Sequence, residues 1–217
     1  MGLGRSYVKL DQELNYDDWC EGLKLGRNYV SDGKSHIFDF SVNDARMGEK
    51  ESELKIAAPG KVRVTAQVAA MLNETPNPDL QKRPFAQKPY WDIERARIDS
   101  TRTVPVELIV NGYPVAKKEI VADGRLENLE FETQIPHSSW VALRILPSSH
   151  TNPIFVLVGG QPIRASRRSA EWCLKGVDQC WSQKERFIKA DEKQDAIAAY
   201  DHARVTYQRL IKESVAE

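Results

Sequence analysis

Residues 103–122, TVPVELIVNGYPVAKKEIVA, contain two runs of strand character on either side of the dipeptide Asn111-Gly112. Valine and leucine occupy every second position before this dipeptide, and Ile120 and Val121 lie after it. Asn-Gly between two such runs is the strongest short-range signal for a β-hairpin, because a type I′ turn requires a positive φ at both central residues. An isolated hairpin is only marginally stable in water, so we expect a larger sheet around it.

The sequence on both sides of the hairpin contains more strands of the same kind. Residues 62–68 and 129–134 alternate apolar with polar side chains, whereas residues 140–146 and 154–158 are mostly apolar. In all, residues 36–163 contain about eight or nine short strands separated by turn signals, with no helical period between them. This spacing predicts an antiparallel β-sandwich, with a closed barrel as the alternative, and excludes a parallel sheet, which needs crossover helices.

The two ends of the chain have a different character. Residues 1–35 contain a short strand-like run and a helix of about ten residues, which Asn15 can cap and Gly26 can end. Such a helix is not stable alone, and we interpret this segment as the remnant of a preceding domain. In residues 164–217 the apolar residues recur with the helical period of 3.6, and helix starts are predicted at Ser166 and Asp191. They predict a two-helix hairpin packed on the sandwich or on a partner.

Composition limits the function classes. The 217 residues are 41% hydrophobic, and Lys+Arg and Asp+Glu are both 31, so the formal net charge is zero. A neutral balance creates no general field for nucleic acid or an anionic membrane, and we expect neither as a partner. No run approaches the roughly 18 apolar residues of a membrane-spanning helix, and the N-terminus lacks the apolar segment of a signal peptide. We expect a soluble protein and leave its compartment open.

The side chains that most often carry chemistry are scattered along the sequence. Three cysteines form no Cys-x-x-Cys pair, and we expect reduced, mostly buried thiols. None of the four histidines lies in a metal-binding or hydrolase pattern, and no nucleophile elbow or phosphate-binding loop is present. We therefore predict no catalytic residue and no metal ligand in this chain. The cysteines are Cys20, Cys173 and Cys180, and the histidines are His36, His137, His150 and His202.

Two short segments are candidates for a binding surface. His150 and Asn152 lie on a loop among hydroxyl residues, and loops on rigid scaffolds often carry function. Arg164, Arg167 and Arg168 open the segment 164–190, which has seven basic and three acidic side chains. This segment is either a solvated helix face or a basic surface that contacts an acidic partner or an anionic substrate.

Four stretches of the chain resemble one protein family. Residues 26–33, GRNYVSDG, resemble the exit from the catalytic barrel of the polymerase and histidinol phosphatase (PHP) superfamily, in its CehA/McbA, carbaryl-hydrolase-like branch. Residues 106–112 and 151–156 resemble segments of the β-sandwich that follows the barrel in that branch. Residues 164–181 are similar to the helical tail of one bacterial subgroup. The resemblance covers nearly the whole chain in order.

The resemblance implies the C-terminal, non-catalytic part of a metal-dependent hydrolase. PHP enzymes bind two or three divalent metals through histidines and carboxylates of the barrel, and no position of this chain matches such a ligand. The resemblance thus implies no cofactor in this chain, a structural or substrate-wall role, and a catalytic barrel or another protein surface as partner. The isolated chain is expected to hydrolyse nothing.

The alternative is an independent β-sandwich module that binds a glycan or a protein. Exposed loop aromatics, such as Tyr90 and Trp91, would favour this alternative. A large apolar face that includes Trp19, Trp172 and Trp181 would favour the accessory role, because it implies a neighbouring domain.

Overall fold

Twelve β-strands and four α-helices form within residues 4–214, the part of the chain that the computed structural model describes. The strands are β1 (Arg5–Val8), β2 (Asn28–Ser31), β3 (Ser35–Val42), β4 (Ala45–Arg46), β5 (Glu53–Ile56), β6 (Gly60–Ala70), β7 (Thr103–Val110), β8 (Tyr113–Val121), β9 (Glu127–Ile135), β10 (Ser139–Ile145), β11 (Ser149–Thr151) and β12 (Ile154–Val158). The helices are α1 (Tyr16–Lys24), α2 (Pro78–Lys82), α3 (Arg167–Lys184) and α4 (Lys193–Glu213). The chain divides into two compact units, one ending at Gln161 and one beginning at Pro162.

The first unit is a sandwich of two sheets. The larger sheet has the order β1-β2-β11-β10-β12-β5, with β7 and β8 continuing from the other edge of β10. The smaller sheet has the order β4-β3-β6-β9. The strand pairs within residues 4–214 are antiparallel, apart from the parallel pair of β5 and β12. The predicted mostly-β, antiparallel sandwich is confirmed.

The core lies between the two sheets and is made by alternate residues of their strands. In β6, Val62, Val64 and Val68 are buried, and in β7 every second residue from Val104 to Val110 is buried. Successive side chains of a strand point to opposite faces, so an apolar residue at every second position gives each sheet one apolar face. Burial of these two faces against each other drives the first unit to fold.

The hairpin of β7 and β8 has the turn that its sequence predicts. Asn111 and Gly112 have φ values of 52° and 93°, and Val110 pairs with Tyr113 across the two-residue loop. Positive φ at both central residues is the signature of a type I′ turn, whose twist matches that of the strands.

The N-terminal segment is part of the larger sheet, so the predicted boundary at residue 35 does not separate it from the sandwich. β2 pairs with β1 on one side and with β11 on the other, and α1 connects β1 to β2. The Asn15 side chain caps α1 as predicted. Gly22 of α1 lies so close to β1 that a Cβ there would be 2.3 Å from Cγ1 of Val8. A short helix can form here because it packs against its own sheet.

Hydrogen bonds between hydroxyl groups connect the turn after β2 and the first residue of β3 to the turn between β10 and β11. The Ser35 hydroxyl is 2.7 Å from Oγ of Ser148 and 2.6 Å from Oγ of Ser149. Ser148 in turn donates to a carboxylate oxygen of Asp32 at 2.6 Å. Polar groups that are fully paired in this way can be buried without the cost of an unmade hydrogen bond.

The long proline-rich segment between β6 and β7 is ordered by an internal ion pair. Arg97 and Glu94 are joined at 2.6 Å, and both side chains are almost completely buried. Within this segment the Asp92 side chain caps a 3-10 turn at Ile93–Ala96.

The second unit consists of the predicted two-helix hairpin. Ser166 caps α3, and Arg204 of α4 pairs with Asp178 of α3 at 2.8 Å. The predicted helix start at Asp191 is two residues early, since α4 begins at Lys193. Its N-cap, Glu192, is already in the helical conformation and has no side-chain cap bond, because the chain enters α4 directly from a turn.

None of the helices within residues 4–214 combines the length with the apolar character that crossing a bilayer requires. The three cysteines are free, but each is only partly buried, whereas mostly buried thiols were expected.

Candidate ligand-binding groove

A bulge in β3 opens the outer face of the smaller sheet. The register between β3 and β6 shifts between Phe38 and Ser41, and Asp39 has a φ of 48°. Phe38 and Asp39 are therefore both exposed in succession, while Phe40 is buried in the core. A bulge inserts one residue and re-aims the side chains beside it, and such bulges are over-represented next to functional sites.

Four rings form an aromatic row beside the bulge. Tyr7 of β1 stacks on Tyr29 of β2 with centroids 5.2 Å apart, and His36 stacks on Phe38 at 5.6 Å. The rings of Tyr29 and Phe38 meet edge to face at 5.9 Å. Stacked and edge-to-face arrangements are the favourable ones for aromatic pairs. The row joins β1 and β2 of the larger sheet to β3 of the smaller sheet.

A hydrogen bond joins Tyr29 and His36 within this row. The hydroxyl oxygen of Tyr29 is 2.7 Å from Nδ1 of His36. Burial lowers the pKa of His36 below its ordinary value, despite the opposing effects of the Gly33 backbone and the Asp32 carboxylate. Burial, with a smaller contribution from Tyr7, raises the pKa of Tyr29 to about 12. At neutral pH the phenol and the imidazole are thus both uncharged, and the His36 tautomer decides which of the two rings donates.

Charged side chains line the same groove as the rings. Nζ of Lys9 is 2.5 Å from Oδ1 of Asp39, and both side chains are more than half exposed. An exposed ion pair contributes little to stability, so these charges are available to a ligand. Arg27 is placed by its Nε, which donates to the carbonyl oxygen of Gly48 at 3.1 Å, and by a weaker pairing with Asp11 at 3.5 Å.

Together these residues enclose a groove of about 950 Å³. Its two sides come from residues 7–11 and from β3, and β6 contributes two polar side chains. The groove is within the 300–1,000 Å³ range of ordinary small-molecule sites. The side chains that define the groove are Tyr7, Lys9, Arg27, Tyr29, Phe38, Asp39, Thr65 and Gln67.

A second depression of about 370 Å³ continues the groove over β6 and β9. It shares Asp39, Thr65 and Gln67 with the first, and the two depressions together form the extended groove. Asn128 accepts a hydrogen bond from Gln67 at 3.1 Å. The second depression is also lined by Arg63 and Glu130, which form an ion pair at 2.5 Å.

The ionisable groups Asp39 and His36, in and beside the groove, already have partners. The carboxylate of Asp39 is paired with Lys9, and the imidazole of His36 is hydrogen-bonded to Tyr29. Over residues 4–214, no group of three or more His, Cys, Asp or Glu side chains is placed to hold a metal ion. The groove combines aromatic surface with a few convergent polar groups, which is the usual composition of a ligand site.

The structure places the first two predicted binding residues on and just after β11. His150 is exposed, and its ring makes one long contact with the Thr151 carbonyl oxygen at 3.3 Å. Asn152 is half-buried and directs its amide at Asn28 and at the backbone of Gly26. His150 is thus free to meet a ligand, whereas Asn152 holds β2 in place.

The three predicted arginines belong to the second unit. Arg164 donates to a carboxylate oxygen of Glu213 at 2.7 Å and to the backbone of Ile163, so its charge is compensated. Arg167 and Arg168 lie exposed in the first turn of α3. The structure therefore divides the five predicted residues between the two units.

The aromatic side chains that would separate the two functions lie in both units of the chain. Tyr90 is 46% exposed and contacts the half-buried Trp91 edge to face at 4.8 Å. Trp19 belongs to the first unit, whereas Trp172, which is 75% exposed, and the half-buried Trp181 belong to the second. Of the two loop aromatics that would favour the alternative function, Tyr90 is the exposed one.

The groove residues were not among those predicted from the sequence. One signal for them is present in β3, where the buried residues Ile37, Phe40 and Val42 are spaced by three and then by two. A regular strand would keep a spacing of two, so the extra residue marks the bulge. Lys9 and Gln67 carry no local signal, since folding alone brings them to the groove.

Comparisons with known proteins give no family. No protein-family model matches the chain, and no curated protein matches it. Among solved structures, a β-glucosidase from Listeria innocua in complex with isofagomine shares 10% sequence identity and a TM-score of 0.29. The similarity covers 59% of this chain and 17% of that chain. A likeness at this level carries no inference about the function of this chain.

Proposed function

We propose that the chain is a non-catalytic accessory region of a metal-dependent, PHP-type hydrolase, and that its groove forms one wall of a substrate-binding site. The observation that carries the proposal is the groove itself. It presents Phe38 and Tyr7 beside the exposed Lys9–Asp39 pair, which a purely structural domain would not need. Exposed polar groups next to an aromatic surface provide orientation for a ligand as well as contact area.

The positions of the segments that resemble the CehA/McbA branch also support this proposal. Residues 26–33 form β2 and its flanks, residues 106–112 form β7 and its turn, and residues 151–156 join β11 to β12. β2 pairs with β11, and β10 pairs with β7, β11 and β12, so the three segments meet in one sheet. Segments that are distant in sequence thus belong to one structural assembly, as a shared domain requires.

Residues 4–214 bring together no group of three or more His, Cys, Asp or Glu side chains that could hold a metal ion. The polar cluster around Asp32 offers one carboxylate and three serine hydroxyls, whereas the family binds its metals through histidines and carboxylates. The proposal therefore leaves the metal chemistry to the barrel and gives the groove a role in binding.

The test joins the chain to the C-terminal side of a CehA/McbA-type barrel and measures kcat and KM separately. Phe38→Ala removes the exposed ring from the groove, and Phe155→Ala is the matched control, because Phe155 is 36% exposed on β12 of the other sheet and Phe38 is 38% exposed. We expect Phe38→Ala to raise KM several-fold with kcat unchanged, since a wall contributes uniform binding. Equal KM values for the two variants and the unaltered fusion would contradict the proposal.

The isolated chain provides a second test. We expect no hydrolysis of phosphoesters, carbamates or esters when Mn²⁺, Zn²⁺ or Fe²⁺ is added, because the proposal gives this chain no nucleophile and no metal-bound water. Metal-dependent turnover that persists through repurification would overturn the non-catalytic role.

One observation favours the second candidate, an independent binding module for a glycan or a protein. The loop that carries Tyr90 is held in one conformation by Arg95, whose guanidinium donates to four carbonyl oxygens of residues 83–89. An exposed ring on a rigid loop is a suitable contact for a partner. Binding by the chain alone that Tyr90→Ala abolishes and Phe38→Ala leaves unchanged would favour this candidate over the groove.

A further inference from the structure

We propose that the extended groove binds a neutral oligosaccharide. The inference rests on the proposed role of the groove as a ligand-binding wall, and it names the class of ligand. Three features carry it, namely the position of the groove on a sheet face, its charge balance, and its combination of rings with amide groups.

The extended groove lies on the face of the smaller sheet. β6 runs along it and is paired on both sides, with β3 and with β9. The backbone N–H and C=O groups of β6 are therefore already used within the sheet, and a peptide cannot add to it as a further strand. Recognition on this face must come from side chains.

The charges of the extended groove cancel in pairs. Lys9 is joined to Asp39, and Arg63 is joined to Glu130. A phosphorylated ligand or a polyanion would meet one carboxylate for each cation, so the site offers it no net attraction. Both pairs are largely exposed and offer charged donors and acceptors side by side. Such pairs suit neighbouring hydroxyl groups, which donate and accept hydrogen bonds.

The uncharged groups select a ligand that has both an apolar and a polar side. Phe38 and Tyr7 present ring surface, while Gln67 and Asn128 present amides that share one hydrogen bond and retain further donors and acceptors. An apolar ligand would bury these amides without partners, at a cost in affinity. A sugar ring meets both requirements, because its C–H face packs on an aromatic ring and its hydroxyl groups bond to amides.

The length of the extended groove favours several sugar rings over one. Its polar side chains come from β3, β6 and β9, which are neighbours in the sheet. Adjacent strands are about 4.8 Å apart, so the three strands span about 10 Å before the contribution of residues 7–11 is added. A single sugar ring would leave part of this surface in water.

The test screens the purified full chain against an array of neutral oligosaccharides and measures each hit by titration calorimetry. Sulfated oligosaccharides and a peptide library serve as the competing ligand classes. The groove variants are Phe38→Ala and Asn128→Ala, the second of which changes an exposed side chain on β9 and keeps the test valid if the first variant folds poorly. Phe155→Ala is the control for the ring, and Lys61→Ala is the control for an exposed polar residue of the same sheet.

We expect a neutral oligosaccharide to bind, and each groove variant to raise its Kd about tenfold or more, which corresponds to about 1.4 kcal/mol. The two controls should leave Kd within about twofold. Absence of any neutral hit, preference for a sulfated sugar or a peptide, or equal losses in groove and control variants would each overturn the inference. If no sugar binds but Phe38→Ala still raises KM in the barrel fusion, this inference fails and the proposed function stands.

Discussion

The side-chain amide of Asn152 donates to Oδ1 of Asn28 at 2.7 Å and to the carbonyl oxygen of Gly26 at 3.2 Å. Asn28 is itself buried, so Asn152→Ala would leave its side chain without this partner. We expect a loss of about 1–3 kcal/mol in the free energy of unfolding, measured by chemical denaturation. The control is His150→Ala, which changes the exposed neighbouring residue and should cost less than about 0.5 kcal/mol. Equal losses of unfolding free energy in the two variants would contradict the structural role of Asn152.

Gly48 should not tolerate a side chain. Its φ is 78°, and a Cβ built there would lie 2.8 Å from the backbone N and Cα of Arg27. Gly160→Ala is the matched control, because Gly160 has a φ of 68° but open space around it. We expect Gly160→Ala to cost about 1 kcal/mol from backbone strain, and Gly48→Ala to cost clearly more, because its backbone must also move. Thermal denaturation of both variants measures the difference, and similar melting temperatures would contradict the clash.

Glu94 should be necessary for the order of the proline-rich loop. It pairs with the buried guanidinium of Arg97 and also accepts from the backbone N–H of Asn77 at 2.9 Å. Glu94→Gln leaves a buried cation without its counter-charge, which costs about 3–5 kcal/mol when such a pair is broken. Glu132→Gln breaks the exposed pair with Lys61 and should have little effect. Hydrogen exchange over residues 73–102 should rise in the first variant alone, and unchanged protection would contradict the prediction.

His36 should make the first unit less stable in acid. Its pKa is lowered in the folded state, mainly by burial, so the unfolded chain binds more protons at pH values around and below 6.5. The resulting loss in the free energy of unfolding is absent well above pH 6.5 and grows as the pH falls through 6.5 towards the pKa of the folded state. Below that pKa the loss is constant. We expect His36→Phe to flatten the stability profile between about pH 7.5 and 5, measured by urea denaturation. His202→Gln, at an exposed position of α4, should leave the slope unchanged.

The strands that bury one face were predictable from the sequence, because burial on one side imposes a period of two. β6, β7 and β9 follow this rule over most of their length, and the Asn-Gly turn fixes one register. β2 and β11 escaped prediction because both are short and rich in buried hydroxyl or amide groups. Ser31 and Ser149 pair with each other in the sheet. Serine is typical of loops, so neither residue indicates a strand before its partner strand is known.

The candidate site was less predictable than the fold. Its rings and charges come from β1, β2, β3, β6 and β9 and from residues beside β1 and β2, and each is an ordinary strand or loop residue in its local context. Asn152 was singled out for its loop position, yet its amide serves the sheet. A site built on the face of a sheet has no compact motif, because its members are brought together only when strands distant in sequence pair.

The pairing of early strands with late ones has a consequence for biosynthesis. Asn28 on β2 meets Asn152 across 124 positions, and β5 likewise pairs with the distant β12. At about 5–20 residues per second, the ribosome takes on the order of 10 s to deliver these partners. During that interval the first two-stranded ladder has an open edge, which is a template for the wrong neighbour. The nascent polypeptide can therefore pair with a wrong strand until the residues of β12 have emerged from the ribosome.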